Sequence, residues 1–169
     1  MKVEIRRGTP DDLEAFISLL TMVRDNMEQK EWFYLAPPEV FREQMAGGVL
    51  ELWVAMDGDR LAAALDLLHP GLEAYNYGYE LGFDREQLWK VVHMDTAAVH
   101  PDYRGLGLQR RLLEMAEQEM RGKGETYLLC TIHPDNRFSL NNALKQGYEI
   151  QMTGPKYGSR RHILCKKIF

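Results

Sequence analysis

One junction constrains this chain more than any other. The run Val91-Val92-His93-Met94-Asp95-Thr96-Ala97-Ala98-Val99 reads as a strand, and His100-Pro101-Asp102-Tyr103-Arg104-Gly105-Leu106-Gly107-Leu108-Gln109 follows it. From Leu108 to Met120 the apolar residues Leu108, Leu112, Met115, Ala116 and Met120 recur at helical spacing. A strand that turns through glycines into a helix calls for an α/β or α+β arrangement. It also makes a cradle for phosphate. Glycines let the backbone approach an anion, and the first amides of the helix have no intrahelical acceptor. A P-loop needs Lys and Ser/Thr at the end of the turn, where this chain has Leu108 and Gln109. A dinucleotide fingerprint needs a third glycine, and Arg110 stands in its place.

The rest of the chain fits a mixed sheet. Lys2 to Arg7 alternates as a first strand, and Thr9-Pro10-Asp11-Asp12 starts a helix with an N-cap, a first-turn proline and acids. A short helix is expected from Pro38 to Met45. Val49 to Met56 and Leu61 to Leu68 form a hairpin around Asp57-Gly58-Asp59. Leu72 to Leu88 reads as an aromatic-rich loop with a short helix at Asp84 to Leu88. Thr126 to Ile132 is a continuous apolar strand, and His133-Pro134-Asp135-Asn136 caps a helix that ends at Gly147. Tyr148 to Thr153 and His162 to Ile168 are closing strands, joined by a connection from Gly154 to Arg161.

At 169 residues one domain, 1–169, is expected. The net charge of -4 and pI of about 5.8 speak against nucleic acid as a partner. No apolar run reaches the ~20 residues of a membrane span, and Met1-Lys2-Val3-Glu4-Ile5-Arg6-Arg7 lacks the apolar region of a signal peptide, so no membrane partner and a cytoplasmic location are expected. Cys130 and Cys165 read as buried reduced thiols. His93, His100 and His133 lack metal-ligand spacing, so no metal is expected.

The segment Asp95 to Gln109 resembles the signature of the GNAT N-acetyltransferase superfamily, Arg/Gln-x-x-Gly-x-Gly/Ala. Arg104, Gly105 and Gly107 match, and Gln109 stands where a small residue is usual. Asn136-x-x-Ser139 followed by Lys145-Gln146-Gly147-Tyr148 resembles the family's later helix, at the family's interval, and the ending from Tyr157 to Leu164 is similar to many of its C-termini. The resemblance implies a central mixed, mostly antiparallel sheet of about seven strands flanked by about four helices. It implies acetyl-CoA as cosubstrate. The pantetheine arm would pair with backbone at Ala97, Ala98 and Val99, and the pyrophosphate with amides of Arg104, Gly105, Leu106, Gly107, Leu108 and Gln109. Asn136, and more weakly Ser139, would contact the CoA arm. For Asn136 a plain helix N-cap is the structural alternative.

In such enzymes an amine attacks the thioester directly. The carbonyl needs a positioned N–H near Ala98 or Val99, and the ammonium needs a base. His93, Asp95 and Glu80 are the base candidates, and His93 has the most suitable unperturbed pKa, about 6.5. Many family members carry an acid Tyr seven residues after the motif Asn. Here that residue is Ala143, so Tyr148 and Tyr157 are the candidate replacements, of which Tyr148 reads better as a core residue and Tyr157 as the acid. Trp32, Phe33 and Tyr34, or Tyr75, Tyr77 and Tyr79 with Glu73, are candidate acceptor walls. The acceptor is a small-molecule or peptide amine, and a homodimer is compatible. The alternative reading is a non-catalytic acyl-CoA-binding or regulatory module, favoured by Ala143.

Overall fold

The computed structural model describes residues 2–169. The chain divides into two compact units, Met1–Leu68 with Thr96–Arg121, and His69–Asp95 with Gly122–Phe169. Seven strands form a sheet in the order β1-β2-β3-β4-β5-β7-β6. They are β1 (Glu4–Arg7), β2 (Leu50–Asp57), β3 (Arg60–Leu68), β4 (Val91–Val99), β5 (Thr126–Ile132), β6 (Glu149–Lys156) and β7 (Ser159–Ile168). β1 with β2, β2 with β3, β5 with β7 and β6 with β7 pair antiparallel, whereas β4 and β5 run parallel. Among the described residues the five α-helices are α1 (Leu13–Asp25), α2 (Pro38–Ala46), α3 (Arg85–Trp89), α4 (Leu108–Met120) and α5 (Arg137–Lys145). A mixed, mostly antiparallel seven-stranded sheet with flanking helices is the architecture the sequence implies.

In the first unit, strand alternation sorts the core onto two faces. Leu50, Leu52, Val54, Ala64 and Leu68 pack with Phe16, Ile17 and Leu20 of α1 and Phe41 of α2. Phe16 and Phe41 meet edge to face at 5.6 Å. The intervening residues Trp53, Ala55, Ala63, Leu65 and Leu67 are buried too, as strands covered on both faces must be. α4 lies against these strands with Leu108, Leu112 and Ala116 buried. Each fully buried Leu contributes on the order of 2 kcal/mol by removing apolar surface from water.

In the second unit, Tyr77, Val91, Tyr127, Leu129 and Ile163 form the core. The aromatic segment is tied into it by Asn76, which is 1% exposed. Its amide donates to the carbonyls of Gly71 (2.8 Å) and Leu88 (3.2 Å), and its Oδ1 accepts from the Gly78 N–H at 2.8 Å.

The structure corrects the sequence reading at the C-terminus. Gly154 to Arg161 is not a loop. β6 runs on through Pro155, and β7 begins at Ser159, so only Tyr157-Gly158 turns the chain. A proline survives in β6 because that strand lies at the sheet edge, where a missing N–H costs no ladder bond. Both turn residues have positive φ, 55° for Tyr157 and 78° for Gly158, as a two-residue type I′ hairpin requires.

Candidate active site

The glycine turn belongs to the first unit and is built largely by local sequence. β4 ends at Val99, and the His100 N–H donates to the Ala62 carbonyl at 2.8 Å, fixing where the strand stops. A single helical turn over Pro101–Tyr103 follows, in which His100 Nδ1 accepts from the Asp102 N–H at 3.1 Å. Gly105 and Gly107 then take φ of 82° and 69°. A Cβ built on either would meet nothing within 4 Å, so these glycines are required by conformation and leave open space above the turn. Gly107 is the N-cap of α4 and offers no side chain to its first amides. The first turn of α4 carries no acidic residue, so no local carboxylate competes for those amides. Leu108 is buried beneath the turn, while Arg104, Gly105, Leu106 and Gly107 are exposed and Gln109 is half-buried.

Behind the turn stands the β2–β3 hairpin. The Tyr103 hydroxyl donates to Asp57 Oδ2 at 2.6 Å, and Arg60 Nη2 donates to Asp102 Oδ2 at 2.6 Å. The Arg60 guanidinium lies 5.3 Å from the Tyr103 ring centre. Before the turn, Ala98 points into the first core, and Ala97 and Val99 are half-buried. The Thr96 N–H donates to Oδ1 of the fully buried Asp66 at 2.9 Å. The sequence reading passed over Asp66, since a single acid in the apolar run Leu61 to Leu68 carries no local signal.

The proton-transfer candidates lie in the second unit. His93 is 1% exposed and stacks on Tyr77, with ring centres 3.9 Å apart and planes 10° apart. Its Nε2 accepts the Tyr77 N–H at 3.2 Å, so the proton of the neutral ring sits on Nδ1. Burial, and secondarily the Lys156 charge, push its pKa down to about 3. The Tyr77 hydroxyl shares a 2.5 Å hydrogen bond with the Tyr157 hydroxyl. Lys156 pairs with Glu80, and its Nζ lies 4.8 Å from the Tyr77 ring centre and 5.8 Å from that of Tyr157. Arg161, 6% exposed, donates from Nε to Thr131 Oγ1 at 3.1 Å and from Nη2 to the Thr131 carbonyl at 3.3 Å. Asp95 is half-buried on β4, and its charge reaches Tyr75, Tyr77 and Arg161.

Asn136, also in this unit, is the N-cap of α5, its Oδ1 accepting the Ser139 N–H at 3.4 Å. Tyr148 is buried and Ala143 half-buried. Of the aromatic walls, Phe33 packs against the first core, whereas Tyr34, Tyr75 and Tyr79 are exposed. Sequence reasoning missed Thr131, Lys156 and Arg161. The spacing Arg161, Ile163, Cys165 carried a signal, because one face of β7 presents all three.

The model of the acetyltransferase (GNAT) family matches residues 19–148. The chain belongs to that family. Solved structures agree on the fold. NAA60 of Arabidopsis thaliana in complex with acetyl-CoA superposes with a TM-score of 0.71 at 15% identity, covering 99% of each chain. The putative acetyltransferase yncA of Salmonella typhimurium, with its cofactor acetyl-CoA, gives 0.70 at 16% identity, over 100% of this chain and 95% of that one. The ribosomal-protein-S18-alanine N-acetyltransferase of Escherichia coli gives 0.71 at 16%, over 99% and 94%. No curated protein sequence matches significantly. Among the described residues there is no group of His, Cys, Asp and Glu that could hold a metal, and no helix long and apolar enough to cross a membrane.

Proposed function

We propose that this protein is an acetyl-CoA-dependent N-acetyltransferase acting on a primary amine by direct attack. One observation carries the reading: a glycine turn with two left-handed glycines, open space above both, and a helix start free of acidic side chains. That arrangement suits a pyrophosphate. Amides from Arg104 to Gln109 would hold it, and backbone at Ala97, Ala98 and Val99 would take the pantetheine arm. The resemblance gives Asn136 and Ser139 to the CoA arm, a role that Asn136 would combine with capping α5. Two reduced cysteines suit a reducing compartment such as the cytoplasm.

Bound acetyl-CoA supplies an activated acyl group. The protein's part is then to position an amide near Ala98 or Val99 toward the carbonyl oxygen and to manage two protons. His93 is a poor base at about 3, with Nε2 already accepting a hydrogen bond, so it serves as a support. Glu80 is engaged by Lys156. Asp95, half-buried on β4 beside the residues assigned to the pantetheine arm, is the base in this reading, acting through water. Tyr157 is the acid, since Ala143 offers no hydroxyl.

The test is thiol release across a panel of small-molecule and peptide amines, with calorimetric CoA binding by wild type and Gly107→Glu. Turnover with at least one amine and loss of CoA binding in the variant are expected. CoA binding with no turnover would favour a binding module instead. Undiminished CoA affinity in Gly107→Glu would remove the turn as the pyrophosphate site.

A further inference from the structure

Behind Tyr157, the second unit holds a line of hydrogen-bonding groups to which the reaction outlined above gives no part. It starts at a buried cation. Arg161 donates to the Thr131 hydroxyl at 3.1 Å, and the Thr131 side chain acts on the Tyr77 hydroxyl in the sense of a donor, lowering its pKa against the larger effect of burial. Tyr77, 3% exposed, shares the 2.5 Å bond with Tyr157, whose ring is 43% exposed. A guanidinium at the buried end and a phenol at the exposed end give the line a direction. Negative charge is favoured at Tyr157, where each inner hydroxyl can turn to donate outward.

We propose that Arg161, Thr131 and Tyr77 form a hydrogen-bonded chain that makes Tyr157 the first phenol of the cluster to release its proton and holds the phenolate that results. The inference rests on Tyr157 being the acid of the proposed reaction. In that step the Tyr157 O–H bond breaks, the proton joins the leaving thiolate as an S–H bond, and the electron pair stays on the phenolate oxygen. Tyr77 then donates its own hydrogen to that oxygen, and water later restores the proton.

The groups facing the pair sort as the chain requires. Burial pushes the Tyr77 hydroxyl well above the ordinary range, and the Asp95 charge and a Tyr157 anion add to this, so Tyr77 stays a donor. Lys156 lies against both rings, partly offset by Glu80. Tyr75 is raised by burial, then by Glu73 and Asp95. His93 is neutral and fixes Tyr77 from behind through its stacked ring and the Tyr77 N–H. Tyr157 also sits at φ 55°, a left-handed conformation that costs free energy for any residue with a Cβ. Its hydroxyl bond to Tyr77 helps offset that cost. Thr131, Tyr77 and Arg161 are positioning residues, because each acts through Tyr157 and not on substrate.

The experiment is an optical titration of tyrosinate, with the Tyr157 transition isolated by subtracting the Tyr157→Phe spectrum, followed beside the basic limb of kcat/KM. Tyr77→Phe is expected to raise the Tyr157 midpoint by about one pH unit. Thr131→Val should move it the same way by less. Thr131→Val reads the same chain if Tyr77→Phe does not fold. Midpoints that stay put in the folded variants would overturn the chain. If the optical midpoint moves and the kinetic limb does not, the chain stands and Tyr157 is removed as the acid. If both move together, chain and role stand together.

Discussion

The glycine turn and the hydroxyl chain are opposite ways of preparing chemistry. The turn is made by neighbours: His100 to Gln109 cap, bend and start a helix within ten residues. Its working parts are backbone amides, and its glycines leave the space above it empty. The chain is made by strangers. Tyr77 and Tyr157 are 80 residues apart, and Thr131 and Arg161 are 30 apart. Its working parts are side chains that lead from the interior of the second unit out to the exposed Tyr157. Binding a constant group such as a pyrophosphate needs only local geometry, whereas tuning a proton needs charges gathered from several strands.

Four experiments press on this contrast, the largest expected effect first. Gly107→Glu puts a charge beside the proposed pyrophosphate and forces a side chain into φ 69°. Like charges a few ångströms apart near a surface cost about 4 kcal/mol, so CoA affinity should fall by more than about 100-fold by calorimetry. Melting should fall by only a few degrees, the effect of roughly 1 kcal/mol of backbone strain, since nothing buried is disturbed.

Acid stability probes the other region. The folded His93 pKa, about 3, lies below the unfolded value of 6.5, so the unfolded chain binds more protons between them. The stabilisation is complete above about 6.5 and is lost as pH falls toward 3, at up to about 1.4 kcal/mol per pH unit. Urea unfolding across that window should show the slope in wild type and a flatter line in His93→Gln. Parallel lines would mean that His93 titrates normally and does not brace Tyr77.

Much of this was legible in the sequence. The bounds Leu108–Met120 and Thr126–Ile132 follow from apolar spacing, and the α5 cap from Asn136. The glycine turn was legible because glycine itself marks a left-handed backbone. Tyr157-Gly158 was not, because a tyrosine in that conformation breaks the rule by which turns are recognised. Once β6 and β7 were cut short there, Arg161 fell outside the pattern that buries it. His93 misled for a different reason: its ordinary pKa suits a base, and only its contacts with Tyr77 show that it is held neutral.

Two smaller effects complete the comparison. Tyr103→Phe removes the bond to Asp57 behind the glycine turn and should cost about 1 kcal/mol. If the brace serves the turn, the KM for acetyl-CoA should rise about fivefold with kcat unchanged. A fall in kcat alone would detach the hairpin from cofactor binding. The smallest effect is Tyr157→Asn, which gives the hairpin its preferred Asn-Gly pair. In wild type the relief and the lost Tyr77 bond should nearly cancel in thermal unfolding. In a Tyr77→Phe background only the relief remains, a gain of roughly 0.5–1 kcal/mol.

The Tyr157-Gly158 turn also sets an order of events in time. A two-residue hairpin such as β6–β7 closes in microseconds, long before contacts between distant segments. When it first forms, Tyr157 is already twisted into its costly conformation while Tyr77, 80 residues earlier, has yet to arrive. The last hairpin of this chain is therefore an early but reversible structure, and the phenol bond is the latch that makes it permanent.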